Sequence, residues 1–189
     1  MKKCVLLAAA LLSVLGLSAA TTEEMIQTIA DAGNARAEIK AAFTEIRSRP
    51  RKEPVTLKGE LVFRKEGYLH MMYENPEKEN FLIDGDRMVN RRGGLEIKSD
   101  LSRNVLMRSL AQTLICAFSG QLETLSTGQK TSLEVRDDGD AWLAVLDAAK
   151  KLPRGYSHIE IRYRKSDGQI VSMKMDEFTG MSTLYQLAE

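Results

Sequence analysis

The sequence predicts an α+β fold in which one curved antiparallel sheet carries its helices on a single face. Three observations lead there. From residue 55 onward apolar and polar residues alternate, and side chains that alternate faces make a strand with one greasy side. Asp84-Gly85, Gly93-Gly94 and Asp167-Gly168 punctuate these runs as hairpin turns do. Two other stretches space their apolar residues as a helix does.

The first 20 residues stand apart. Lys2 and Lys3 form a positive start, residues 5–17 are apolar, and Ser18-Ala19-Ala20 supplies small residues at a cleavage position. This predicts a secretory signal peptide (residues 1–20) cut after Ala20, a periplasmic protein, and a single mature domain over residues 21–189. The apolar run is short for a bilayer span. Cys4 precedes that run rather than following it, so no lipid anchor is expected. The other cysteine, Cys116, lies among Leu114, Ile115 and Phe118 and reads as a buried, inert thiol.

Residues 21–49 read as one helix. Thr21 or Thr22 caps it, Glu23 and Glu24 suit its first turn, and Met25, Ile26, Ile29, Ala32, Ile39, Ala42, Phe43 and Ile46 form its stripe. Gly33-Asn34 is a point where it kinks or divides, and Pro50 and Pro54 close the segment. Val55, Leu57, Leu61 and Phe63 then share one face of a strand, and Leu69, Met71 and Tyr73 continue the pattern to Pro76. Phe81-Leu82-Ile83 and Met88-Val89 flank Asp84-Gly85-Asp86, and a short strand follows Gly94. A second helix over residues 102–118, capped by Ser99-Asp100 or Ser102, places Val105, Leu106, Leu110, Leu114, Ala117 and Phe118 on its stripe and stops at Gly120. Leu101, Met107 and Ile115 widen that stripe beyond one contact. Strands over 132–136, 141–147, 158–164, 169–176 and 182–187 complete about eight or more antiparallel strands.

Composition narrows the function. The chain has 189 residues, 43% of them hydrophobic, enough for a true core. Without Lys2 and Lys3 the 27 basic residues fall to 25, against 26 acidic, which leaves no footprint for nucleic acid. Nucleophile elbow, zincin and P-loop motifs are missing, so the sequence predicts neither an enzyme nor a cofactor. His70 and His158 sit apart among polar neighbours, and Asp137, Asp138 and Asp140 lack the spacing of a calcium loop, so no metal is expected. Met71, Met72, Met88, Met107, Met173, Met175 and Met181 give the sheet a soft apolar surface, which suits either ordinary core filling or variable apolar ligands.

Gly59-x-Leu61-x-x-x-Lys65, the aromatic-rich second strand, Tyr73-Glu74-x-Pro76 and Asp84-Gly85 resemble the LolA family. Ala42-Phe43-Thr44, matching the end of that family's first helix, Ser166-Asp167-Gly168-Gln169-Ile170 and the closing Tyr185-Gln186-Leu187 extend the resemblance over most of the chain. It implies an unclosed antiparallel β-barrel with a helical lid over an apolar cavity. It also implies a monomeric periplasmic carrier of acylated lipoproteins, working between an inner-membrane release transporter and an outer-membrane acceptor with only transient membrane contact. The implied acyl-chain cavity is formed by Leu57, Leu61, Phe63, Leu69, Met71, Tyr73, Ile83, Met88, Ile161 and Met173 from the sheet, with Leu106, Leu110 and Leu114 from the lid. Lys65-Glu66 stands where the family has Arg-Pro, so Lys65 is the position tied to lid control. Met71 replaces the family's Trp, and Glu189 ends the chain without the family's trailing segment. A carrier of another lipid or glycolipid, and a periplasmic interaction or sensor domain without transport, are the alternative readings.

Overall fold

The computed structural model describes residues 20–74, 79–150 and 155–188. Residues 1–19, Pro76 and Pro153 lie outside them, and so do the readings made on those positions. The described residues form three helices and eleven strands. In order these are α1 (Thr22–Ala35), β1 (Glu38–Arg49), β2 (Lys52–Arg64), β3 (Tyr68–Tyr73), β4 (Asn80–Asp84), β5 (Arg87–Arg92), β6 (Leu95–Asp100), α2 (Val105–Ser119) and α3 (Leu122–Gln129). They continue as β7 (Glu134–Asp138), β8 (Ala141–Asp147), β9 (Tyr156–Arg164), β10 (Ile170–Glu177) and β11 (Ser182–Leu187).

All the strands join one antiparallel sheet in the order β6-β5-β4-β3-β2-β1-β11-β10-β9-β8-β7. Strands adjacent in the sheet are consecutive in sequence except at the centre, where β11 returns to pair with β1, Phe43 opposite Leu187 and Ser48 opposite Ser182. The edges β6 and β7 do not meet, so the sheet stays an unclosed barrel, as the family resemblance implies. The helices lie on its apolar face, which bears Phe63, Leu69, Met71, Ile83, Ile161 and Met173, all 2% exposed or less.

The first predicted helix is corrected. Its start holds: Thr21 Oγ1 accepts from the Glu24 amide at 3.3 Å while Glu24 Oε2 accepts from the Thr21 amide at 2.8 Å, a capping box. It ends at Ala35, however, and residues 38–49 are a strand, including Ala42-Phe43-Thr44. Ile39, Phe43 and Glu45 point inward and are buried, while Ala42 is exposed on the other side. Those inward positions repeat every two residues, and pairing with strands on both sides outweighs the helix spacing that Ile39, Ala42, Phe43 and Ile46 also satisfy. Pro54 likewise lies inside β2. It is tolerated there because β3 pairs with β2 only from Gly59 to Arg64, so no ladder partner on that side needs its missing N–H.

Two further details differ. Asn104, not Ser99, Asp100 or Ser102, caps α2, its Oδ1 accepting from the Met107 amide at 3.1 Å. Asp100 instead closes the preceding turn, accepting from the Ser102 amide at 2.9 Å. Gly120 stops α2 with φ +71°, as predicted, but α3 follows directly. Leu122 and Leu125 alone anchor α3 in the core, too little pattern to mark a helix in sequence.

Close packing fixes the helices against each other and the sheet. A Cβ on Gly33 of α1 would lie 2.0 Å from the Ser119 carbonyl oxygen, so the two backbones touch. The Phe63 and Phe118 rings stack with centroids 5.6 Å apart, and the buried Tyr163 hydroxyl donates to the Ala117 carbonyl at 2.8 Å. Cys116 is buried, and burial pushes its thiol above the ordinary range, in keeping with an inert role.

Gly33→Ala would ordinarily gain helix propensity, but the Ser119 contact reverses the sign. The expected loss is about 1–3 kcal/mol. Gly128→Ala in α3, where a Cβ meets only Gln112 at 3.7 Å or more, should instead gain about 0.5 kcal/mol. Urea unfolding of the two variants beside the parent checks both signs.

Candidate binding cleft

The first half of α2 does not lie flush on the sheet. Leu114 is buried, Leu110 is half-buried and Leu106 is exposed, so the helix rises from the core toward its N-terminus. Two adjoining cavities open beneath it. One, of about 340 Å³, is bounded by Leu106, Met107 and Leu110 of α2 and by Tyr156, Glu177 and Met181 across from them. The second, of about 300 Å³, shares Leu110, Tyr156, Glu177 and Met181 with the first and runs on toward Tyr73, Phe81, Arg92 and Tyr185. Together they form a continuous cleft, apolar under the helix and polar where it reaches β1 to β5.

Of the predicted cavity residues, Tyr73, Leu106, Leu110 and Leu114 line this cleft. Leu61, Phe63, Leu69, Met71, Ile83, Met88, Ile161 and Met173 form the buried apolar layer beside it, and Leu57 is half-buried on the same face. Lys65 lies elsewhere: its Nζ donates to the Asn34 carbonyl at 2.9 Å, at the last turn of α1. A cation at a helix C-terminus meets the negative end of the dipole. Asn34 Oδ1 in turn accepts from Gln121 Nε2 at 3.4 Å, so Lys65 sits by the junction of α1 with α2 and α3.

Apart from Tyr73, the polar wall consists of residues that the sequence reading does not assign to the site. Glu45, 2% exposed, receives two hydrogen bonds from the Arg47 guanidinium, that from Nη2 being 2.9 Å, and one from the Tyr73 hydroxyl at 2.6 Å. Arg47 Nη1 reaches Glu79 Oε2 at 3.5 Å, and Arg92 Nε reaches Glu79 Oε1 at 3.1 Å. The network thus braces the concave face from β1 to β5. It crosses β2 at Gly59, where a Cβ would lie 2.1 Å from the Met72 carbonyl oxygen and 2.9 Å from the Phe43 ring. Phe43 in turn meets Tyr73 edge-on at 5.2 Å.

The electrostatics keep this wall charged but balanced. Burial acts to lower the Arg47 pKa, but the hydrogen bonds and charge of Glu45 outweigh it and leave the guanidinium raised. Burial, then the Glu45 charge, pushes the Tyr73 phenol far up, so it stays a donor. Burial and then Glu177 raise Tyr156 in the same way. The sequence did hold a signal: Ile39, Phe43, Glu45 and Arg47 share one strand face, where two charges interrupt an apolar series. A helical reading of residues 21–49 hides it, because it sets Glu45 on a different face from Ile39, Phe43 and Arg47.

The other chemical candidates stay on the surface. His70 Nε2 and Asn80 Oδ1 are 2.8 Å apart. His158 sits between Asp147 and Glu160, at 2.7 and 3.2 Å, and the Asp147 hydrogen bond raises its pKa. Asp137 pairs with Lys165 and Asp138 with Arg162. Among the described residues no cluster of His, Cys, Asp and Glu has metal-holding geometry.

Arg47→Leu leaves the Glu45 carboxylate buried with Tyr73 as its remaining donor, and should cost about 3–5 kcal/mol. Tyr73→Phe removes one neutral donor and should cost about 1–2 kcal/mol. Glu45→Leu combined with Arg47→Leu should recover most of the first loss. Urea midpoints of the three variants provide the check.

Comparison of the sequence with protein-family models and with curated proteins gave no match. Among solved structures, MucB superposes with a TM-score of 0.51 at 13% identity, covering 88% of this chain and 56% of MucB. A LolA superfamily protein from Nitrosomonas europaea gives 0.44 at 9% identity, covering 90% and 93% of the two chains. The Mycobacterium tuberculosis lipoprotein LppX gives 0.44 at 10% identity, covering 87% and 91%. At such identities the likeness is one of fold, and the chain spans little more than half of MucB. The fold shared with MucB is an unclosed antiparallel barrel with helices packed on its concave face.

Proposed function

We propose that this protein is an exported, periplasmic carrier that shelters the acyl chains of lipoproteins in the cleft beneath α2 and ferries them from the inner to the outer membrane. The observation that carries the reading is the apolar mouth of that cleft, where exposed Leu106 and half-buried Leu110 of α2 line an opening into the fold together with exposed Met181. Water-facing apolar groups around a concave site are the mark of a place where an apolar ligand binds. Each buried CH₂ is worth roughly 0.8 kcal/mol, so an acyl chain would gain strongly by entering. Cargo would be received from an inner-membrane transporter and surrendered to an outer-membrane acceptor, since burial of that strength needs a partner to reverse it. The reading is one of binding rather than catalysis.

A second reading, a carrier of a free lipid or glycolipid, draws support from the cleft's size. Its two cavities, about 340 and about 300 Å³, lie near the small end of the roughly 300–1,000 Å³ typical of small-molecule sites. One chain fits that space with little rearrangement, whereas triacylated cargo requires the N-terminal half of α2 to lift. Leu61, Phe63, Leu69, Met71, Ile83, Met88, Ile161 and Met173 would then become cavity wall, and Lys65, holding the α1 terminus, would bear on that motion.

Leu110→Glu places a charge where the two cavities join. It should weaken uptake of a fluorescent fatty-acid probe by about tenfold or more. Because Leu110 is only half-buried, the urea midpoint should move little. Equal probe uptake by the variant would remove α2 from the ligand site, and a parent protein that takes up no probe would leave an interaction domain as the better reading.

A further inference from the structure

We infer that the cleft mouth is a docking face for an anionic lipid surface, with the β1–β2 hairpin tip as its electrostatic contact and the apolar rim as its inserted part. The hairpin outruns the sheet. β3 pairs with β2 only as far as Gly59, and β11 pairs with β1 only as far as Ser48. Residues 49–56 beyond those limits are all exposed. The tip carries Arg49, Arg51 and Lys52 against one carboxylate, Glu53. Of the three cations, none forms an ion pair among the described residues.

The tip is joined to the mouth. Arg49 and Met181 line the same cavity, and a Cβ on Gly180 would come within 3.1 Å of Pro50. Val55 stands opposite Arg47 in the ladder, so it too faces the concave side, and it is 49% exposed. Across the opening, α2 presents Val105 and Leu106, 69% and 43% exposed. Arg103 and Arg108 flank them, Arg103 being paired with Asp100 at 3.5 Å. Of the carboxylates lining the cleft, Glu45 and Glu79 are paired with Arg47 and Arg92, and Glu177 accepts from the Thr179 hydroxyl at 2.8 Å. Cations around separated, protruding apolar side chains match an anionic bilayer, where basic residues supply attraction and apolar ones shallow insertion. Each signal is weak alone; together they give reversible docking.

Such docking would bring the cleft to the surface where acyl chains enter and leave, and in that respect it rests on the carrier reading. Its measurement needs no cargo, so the two can fail separately. The full chain, as exported by the expressing cell, is sedimented with vesicles of phosphatidylcholine alone or with added phosphatidylglycerol, at low and high salt. The expected result is binding to the anionic vesicles at low salt, at least about tenfold weaker on neutral ones, and falling as salt rises. Replacing Arg49, Arg51 and Lys52 together by Gln should cost roughly fivefold per cation. Leu106→Ser with Val105→Ser should weaken binding while preserving the salt dependence. Lys52→Glu gives a second electrostatic reading from one exposed position, and far-UV circular dichroism verifies that each variant is folded. Equal binding to both vesicle types, no binding to either, or parental binding by the triple variant would overturn the assignment.

Discussion

A sheet of eleven strands that curves without closing has an apolar concave face and too little chain to cover it. Among the described residues three helices do so, and their contacts divide the cover into a fixed part and a raised one. Toward the C-terminus of α2 the cover is tight: Gly33 meets the Ser119 carbonyl, Phe118 stacks on Phe63, and Tyr163 ties the Ala117 carbonyl. Toward its N-terminus the same helix passes from buried Leu114 to exposed Leu106. The cleft follows from that geometry. A helix anchored at one end over a curved sheet leaves its other end standing off.

The polar brace answers the second demand of an unclosed barrel, that its open side keep its curvature without a helix against it. Glu45, Arg47, Tyr73, Glu79 and Arg92 connect strands that are not all neighbours. Apolar packing could hold the same strands more cheaply, since buried ion pairs seldom stabilise relative to good hydrophobic contacts. What the network adds is direction, because its hydrogen bonds fix which side chains meet. It also gives the cleft a wall unlike its apolar roof, so an amphiphile could lie in it in one orientation.

Much of this architecture was legible in the sequence. The alternation through Val55, Leu57, Leu61 and Phe63 and the turns at Asp84-Gly85 and Gly93-Gly94 set the strands where they are found. β1 was not legible, because Ile39, Ala42, Phe43 and Ile46 satisfy a helical spacing as well as a strand does, and only its two neighbours in the sheet decide between them. The site was less readable than the fold. Apolar periodicity identifies which face is inside, but not which inward residues border a space. Leu69 and Tyr73 share a strand face, yet the first packs solidly and the second borders the cleft. That difference depends on how far α2 reaches, a distance no local pattern contains.

Native mass spectrometry of the exported protein, with lipid extraction of the same sample, is the direct test of whether the space beneath α2 holds acyl chains, as proposed. The expected result is bound mass that extraction assigns to acylated material, polypeptide-linked for a lipoprotein carrier and free for a lipid carrier. A ligand-free protein that also excludes an acyl probe offered in excess would contradict it.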